Sequence, residues 1–422
     1  MTTYYFISDL HIGGDEALRD VQFEPELLGF LERLETTDED AELIINGDTF
    51  GLWEFTELEG MAKFDALLER YPELFEQLRA TGENVQITII PGNHDYELAA
   101  HDEYVERLAE WNVTLEQDVT ITRSVGEHDV WIEHGMQEDG HNRIPDFGNP
   151  YANPLGYFVN RHFTSKAGQL SDRGRYNWLR DIQSVTPMER IPEWVVSNYF
   201  YREMNPLLRY ASLPFLLTFN VSLGYLLVVL LAVTGVWSAP LLAVHDLLFE
   251  LGVVGSLLDA VIAVNIAVTA LLAVLAVPLY VYVRDVRTTL GRFGLFGLPE
   301  RTDPYLDRAR SVFEANPDVA AFVYGHTHRA SVRRLDGRAV INTGTWLKRF
   351  TPTATRLGLL PPVFHPSFRL SYVRLRAEDG AVLVEYDEVD KANPSELSVL
   401  ERLVSKRPGR ESEIPEESVF ER

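Results

Sequence analysis

The stretch Val319-Ala320-Ala321-Phe322-Val323-Tyr324-Gly325-His326-Thr327-His328 decides how this chain folds. Its run of six apolar residues suits a short strand buried on both faces, and the glycine ends that strand in a turn. The turn presents two imidazoles one residue apart, each able to bind a different metal ion if other ligands join it. Those ligands must come from other strand ends.

Earlier strands end in suitable chemistry. Tyr4 to Ser8 reads as a strand running into Asp9-Leu10-His11, and at the C-terminal end of a parallel strand both side chains face the crevice where open α/β sheets bind ligands. A helix from Pro25 to Leu34 precedes a second apolar strand, Leu43 to Asn46, which ends in Gly47-Asp48. The glycine permits a sharp turn, so the aspartate can reach the first pair. A helix from Met61 to Leu78 leads to a third strand, Val85 to Ile90, closed by Pro91-Gly92-Asn93-His94-Asp95. A later strand, Val130 to Glu133, ends in His134-Gly135. Any one of these ends alone is more often a plain turn; their repetition is what points to a site. Of the other histidines, His101 and His128 fall in polar helix or loop surroundings, and His141, in a following loop, is the rival to His134.

Composition narrows the chemistry. The 422 residues include no cysteine, which excludes disulfides, zinc–cysteine sites and thiol nucleophiles and leaves nitrogen and oxygen to hold a metal. The formal charge is −25, from 63 Asp and Glu against 38 Lys and Arg. Only Lys63, Lys166, Lys348, Lys391 and Lys406 are lysines. Such a surface repels nucleic acid phosphates and suits a cytoplasm of very high salt, so a halophilic protein is expected. The N-terminus reads as a strand start rather than a signal peptide.

The segment between His134 and His326 predicts a membrane. Tyr210 to Val244 has no charged residue, and Ala260 to Val283 is a second uncharged run. A hydrocarbon core of about 30 Å takes roughly 20 helical residues. Spans are placed at Leu213 to Val236 and Ala260 to Val283, with 241–259 as an interfacial or re-entrant helix. The number of crossings must be even if ligands on both sides of the insertion meet in one site. Arg202 and Arg209 precede the first span and Arg284, Arg287 and Arg292 follow the second. The positive-inside rule then puts the catalytic domain and both termini on the cytoplasmic side of a two-span cell-membrane protein. Residues 154–209 mix arginines such as Arg161 and Arg180 with aromatics such as Tyr157 and Trp178, and are expected either to form a helical cap that helps to bind phosphate or to be a membrane-proximal segment that seats the domain on the bilayer. The domain plan is 1–153 for the first part of the catalytic domain, 154–209 for the cap, 210–292 for the transmembrane hairpin and 293–392 for the second part. Phe368 to Arg376 and Ala381 to Tyr386 are expected as a hairpin completing a second sheet, and 393–422 as a mobile charged tail.

The ordered blocks Asp-x-His, Gly-Asp, Gly-Asn-His-Asp, His-Gly and Gly-His-Thr-His, with Asn342-Thr343-Gly344 as a closing strand and turn, resemble the calcineurin-like metallophosphoesterase superfamily. The resemblance implies a four-layer α/β/β/α sandwich, here interrupted by the hairpin. It implies two divalent metal ions, manganese or iron with zinc as a further candidate. Asp9, His11 and His328 would hold one, Asn93, His134 and His326 the other, and Asp48 would bridge them. His94 would sit near the leaving group as acid or to stabilise charge, oriented by Asp95. Gly47-Asp48-Thr49-Phe50 with Trp53 is similar to the branch that hydrolyses the pyrophosphate of UDP-diacylglucosamine, although that branch commonly has Arg where this chain has His94. The expected activity is hydrolysis of a phosphate ester or pyrophosphate, lipid-linked or nucleotide-linked, at the inner membrane face. A nuclease of the same superfamily would need a basic groove, and a metal-free scaffold on this fold should have lost ligands.

Overall fold

The strand Ala41–Asn46 is buried at every position, because both faces of its sheet are covered. In chain order the strands are β1 (Thr3–Ile7), β2 (Ala41–Asn46), β3 (Gln86–Ile90), β4 (Val113–Leu115), β5 (Thr120–Val125), β6 (His128–Glu133) and β7 (Val319–Tyr324). They continue with β8 (Ser331–Leu335), β9 (Arg338–Asn342), β10 (Arg349–Thr353), β11 (Val363–Ser367), β12 (Leu370–Glu378), β13 (Ala381–Val389) and β14 (Glu417–Phe420). The computed structural model describes residues 2–187, 190–210, 219–221, 223–225, 227, 231, 234–236, 250, 252–292, 303–356, 358, 360–409 and 413–420.

A seven-stranded sheet runs β14-β13-β12-β1-β2-β3-β4, and a five-stranded sheet runs β5-β6-β7-β9-β8. Strands β1 to β4 are parallel to one another, as are β6, β7 and β9. Alternation sorts their side chains into layers. Phe6, Ile44 and Ile90 of the large sheet meet Ile132, Val323 and Ile341 of the small one in a shared core. On the outer face of the large sheet, Leu43, Ile45 and Ile89 pack with Leu27 and Phe30 of helix Glu24–Glu35, and with Phe64 and Phe75 of the two helices that follow. On the outer face of the small sheet, Phe322 and Val340 pack with Ala309, Val312 and Phe313 of helix Pro304–Ala315. The result is the four-layer order expected from sequence. The parallel ends of β1, β2, β3, β6 and β7 carry the chemistry.

Several expectations are corrected. The single helix expected from Met61 to Leu78 is two, Met61–Arg70 and Pro72–Thr81. Pro72 has no N–H to continue the ladder and drives Tyr71 to φ −123°, ψ 51°. The hairpin β12–β13 joins the large sheet beside β1, not the second sheet. The tail expected to be mobile instead carries helix Val399–Val404, with a capping box between Ser398 and Glu401, and β14, which pairs with β13. Phe420 of β14 is buried in the shared core and Ile414 packs against it, so two apolar residues anchor an otherwise charged end.

The chain divides into two compact units, one of Met1–Glu203, Pro299–Arg356 and Pro362–Arg422, the other of Met204–Leu298 and Leu357–Pro361. In the first, residues 155–203 form short helical turns around helix Ile191–Asn198. In the second, the helix Val253–Arg292 contains the expected second span and starts earlier, absorbing the end of the segment taken for an interfacial helix. Gly252, with φ 60°, stands directly before its first turn. Gly255–Val286 has a mean hydropathy of 2.7 and is the one helix among the described residues long and apolar enough to cross a membrane. The two-helix hairpin is therefore not observed: most of the other expected span, 213–236, and of the segment 241–259 lies outside the described residues.

Candidate metal centre

The loops after β1 and β2 are laced together by backbone bonds. The N–H groups of Leu10 and His11 both donate to the Asp48 carbonyl at 2.9 Å, and that of Asp9 donates to the Gly47 carbonyl at 3.1 Å. This folds Asp9, His11 and Asp48 into one crevice. Asp9, His11, Asp48, His326 and His328 all have left-handed backbone, with φ between 47° and 64°. Non-glycine residues seldom adopt it, and it costs on the order of 1–3 kcal/mol at each position unless the surroundings hold it. Here five such residues are the ones whose side chains converge.

Close backbone approach completes the cradle. A Cβ on Gly92 would lie 2.1 Å from Asp48 Oδ1, and one on Gly47 2.3 Å from His134 Nδ1. Only glycine fits at either place. The Asn342 amide donates to the Gly325 carbonyl at 2.7 Å, which ties the end of β9 to the turn that carries His326 and His328.

Three donor groups result, each with its ligand atoms within 4.8 Å of one another: Asp9 with His11 and His328; His11 with Asp48 and His94; and Asp48 with His134 and His326. Asp48 Oδ2 lies 3.2 Å from His134 Nε2 and 3.6 Å from His11 Nε2. Asp9 Oδ1 is 3.1 Å from His328 Nε2, and the Nε2 atoms of His11 and His328 face each other at 3.3 Å. Asn93 is buried in the same crevice wall, and its Oδ1 has no hydrogen-bond partner among the described residues. Six of the seven residues expected as ligands are thus brought together with His94, and Asn93 directly precedes His94 in the loop after β3. His141 lies beside Asp139, 3.6 Å from its Oδ1, and joins none of the three groups.

The rings are oriented by atoms the sequence reading overlooked. His134 Nδ1 is 2.9 Å from the Asn46 carbonyl, which takes its proton and leaves Nε2 toward Asp48. His326 Nε2 is 3.1 Å from Asp139 Oδ2. His328 Nδ1 is 3.2 Å from the Thr186 hydroxyl. His94 Nδ1 is 2.8 Å from Glu54 Oε1, which also accepts from the amides of Gln183 at 3.2 Å and Asn160 at 3.4 Å. Asp95, expected to orient His94, does not touch it: its carboxylate accepts the N–H groups of Gly92, Thr49 and Phe50 at 2.6, 2.7 and 3.1 Å. It shapes the loops instead. Glu54 ends the stretch Gly47 to Glu54, and an acid next to Trp53 was the only signal for it.

Electrostatics follow from burial against crowded carboxylates. Burial alone would keep His134 neutral, but the Asp48 carboxylate outweighs it and pushes the ring up to about 10. For His94, burial is again outweighed, by Glu54 and Asp48, and the ring is pushed up to about 9. Burial and the neighbouring His94 ring hold His11 well below its usual value. Burial, with Asp48 beside it, raises the Asp95 carboxyl to about 7. Imidazoles that attract protons around buried carboxylates mark a place suited to cations.

The family model for calcineurin-like phosphoesterases matches residues 2–223, just over half of the chain. No curated protein matches. Among solved structures, wild-type Vps29 from Entamoeba histolytica complexed with zinc is 10% identical, with 93% of this chain and 96% of that chain covered and a TM-score of 0.29. A predicted phosphoesterase from Streptococcus pneumoniae is 11% identical, with 94% of each chain covered and a TM-score of 0.28. The phosphopantetheinyl hydrolase of Mycobacterium tuberculosis is 12% identical, with 82% of this chain and 90% of that chain covered and a TM-score of 0.26. On the strength of the family match over residues 2–223, this chain belongs to the calcineurin-like phosphoesterases.

Proposed function

We propose that the chain hydrolyses a phosphate ester or pyrophosphate with two divalent cations, one held by Asp9, His11 and His328, the other by Asn93, His134 and His326, with Asp48 shared. The observation that carries this reading is Asp48, whose Oδ2 stands between His134 at 3.2 Å and His11 at 3.6 Å. Its fit to cations rests on the donors: Asn93 Oδ1 is a buried polar atom without a hydrogen-bond partner among the described residues, and the buried Asp9 Oδ1 and His134 Nε2 face only His328 at 3.1 Å and Asp48 at 3.2 Å. Nitrogen and oxygen donors suit manganese or iron, and zinc as well. When bound, such ions supply Lewis-acid activation of water and of the phosphoryl oxygens.

The chain's own residues do the rest. Glu54 takes the Nδ1 proton of His94 and leaves Nε2 to give a proton to the departing oxygen. With the ring pushed up to about 9, it stays protonated at neutral pH. The His94 backbone N–H donates to Asp48 Oδ1 at 2.7 Å, so the acid and the shared carboxylate are held by one residue. A cleft of about 100 Å³ beside His11, His94 and His328 is lined by apolar Leu10 and Phe23 and polar Arg180 and Gln183, and would receive part of the substrate. The substrate carries phosphate, as the family implies, and we place it at a membrane as a lipid-linked or nucleotide-linked ester. The helix Gly255–Val286 supports an anchor, and Arg284, Arg287 and Arg292 after its apolar run support a cytoplasmic catalytic unit.

The test is hydrolysis by detergent-purified protein with Mn²⁺ in high salt. A bis-aryl phosphodiester, an aryl monophosphate and a nucleotide-diphospho-lipid would serve as substrates, with Asp48→Asn and His94→Ala alongside. Metal-dependent turnover that disappears in Asp48→Asn supports the reading. Wild-type protein that neither retains metal nor turns over any of the three overturns it.

A further inference from the structure

We propose that Thr186, in the inserted cap, is a positioning residue for His328, and that the cap therefore governs cation loading at the Asp9–His11–His328 half of the site but not at the other. This rests on the two-cation reading above. With His328 Nε2 turned to Asp9 Oδ1 at 3.1 Å, Nδ1 is the atom left to carry the ring proton, and the Thr186 hydroxyl 3.2 Å away accepts it. An imidazole held this way is fixed in tautomer and ring angle, and such outer partners typically alter metal affinity 10–100-fold.

The loop that presents Thr186 is anchored rather than loose. Ile182 and Val185 are buried against Trp194 and Phe364. Between them Gln183 donates to both Glu54 at 3.2 Å and the Ser165 hydroxyl at 3.0 Å. Thr186 follows at the end of this clamp, so its hydroxyl is aimed by packing. In the other half no described cap residue touches a ligand ring, although the Gly156 N–H of the cap donates to the His141 carbonyl at 2.8 Å. His134 is oriented by the Asn46 carbonyl at the end of β2, and His326 by Asp139 in the loop after β6. Asp139 is itself fixed by the His141 backbone N–H at 2.8 Å and the Asn142 amide at 2.7 Å. None of these four residues belongs to residues 154–209.

The experiment is a calorimetric titration of metal-stripped, full-length protein in detergent with Mn²⁺, comparing wild type with Thr186→Val, Thr186→Ala and Thr186→Ser. Thermal unfolding without metal serves as the folding control. The expected result is two binding events in wild type, one of them weakened 10–100-fold in Thr186→Val and Thr186→Ala, the other unchanged, and recovery in Thr186→Ser. Unchanged affinities in both hydroxyl-free variants overturn the proposal. So does an equal weakening of both events, or a Thr186→Ser protein as weak as Thr186→Val. If wild type binds fewer than two ions, the two-cation reading itself fails, and the proposal falls with it.

Discussion

The two halves of the crevice are built from similar side chains but steadied by different parts of the chain. His134 and His326 lean on Asn46 and Asp139 of the phosphoesterase fold. His328 and, through Glu54, His94 lean on Thr186, Gln183 and Asn160 of the inserted segment. One half takes its orienting atoms from the end of β2 and the loop after β6; the other takes a hydroxyl from the cap. The difference teaches that an insertion can enter a site without supplying a single ligand.

Asp48 belongs to both halves, so its replacement should erase the contrast. Asp48→Asn is expected to lower kcat by a factor on the order of 10³ or more and to remove both binding events from a metal titration. Retention of one event of full affinity would show that Asp48 serves one half alone.

Glu54 tests the acid on the cap-dependent side. Glu54→Gln should lower kcat by about 10²–10⁴-fold while leaving metal binding in place. The pH dependence carries a sign. The ring of His94 is raised to about 9 in the folded protein. Its paired, protonated state therefore stabilises the fold fully below the ordinary histidine value and is lost as pH rises through about 9. Activity should fall over the same range, and in Glu54→Gln the fall should move to lower pH. An unmoved alkaline limb would assign it to another group.

Asp139 gives the mirror image of the Thr186 experiment. Asp139→Ala should weaken the cation event that Thr186→Val spares, by 10–100-fold, and spare the one that Thr186→Val weakens. If both variants act on the same event, the halves are coupled and the contrast breaks. The smallest effect lies far from the crevice: Ser398→Ala removes one bond of the capping box and should cost about 1 kcal/mol of stability. Denaturant midpoints would show it, with neither cation event altered.

What could be read from sequence depended on whether the signal was local. Apolar runs such as Leu43 to Asn46 and Val319 to Tyr324 end at polar residues, so β2, β7 and the ligands that follow them were legible in order. The partners of the ligands were not. Thr186 and His328, or Glu54 and Gln183, meet only through tertiary folding, and no period or spacing joins them. The alternation of β12 and β13 revealed which residues face inward but not which sheet they would join, since that depends on β1 having a free edge. The tail misled for a different reason. Its charge suggested disorder, whereas pairing with β13 and the burial of Phe420 outweigh the composition. The left-handed backbone at Asp9, His11 and Asp48 was equally invisible, because these residue types tolerate many turns.

Lys348 shows how far the cleft wall extends along the chain. Its ammonium group, almost wholly buried, is bonded to Asp181 of the cap at 2.9 Å and to Glu396 of the tail at 2.8 Å. Three segments far apart in sequence thus share one charge, and removal of a partner from a buried ion pair commonly costs 3–5 kcal/mol. Loss of Glu396 would leave Lys348 with a single counter-ion beside the cleft. A segment remote in sequence from every strand end of the crevice is in this way made a guardian of the charge balance at the cleft wall.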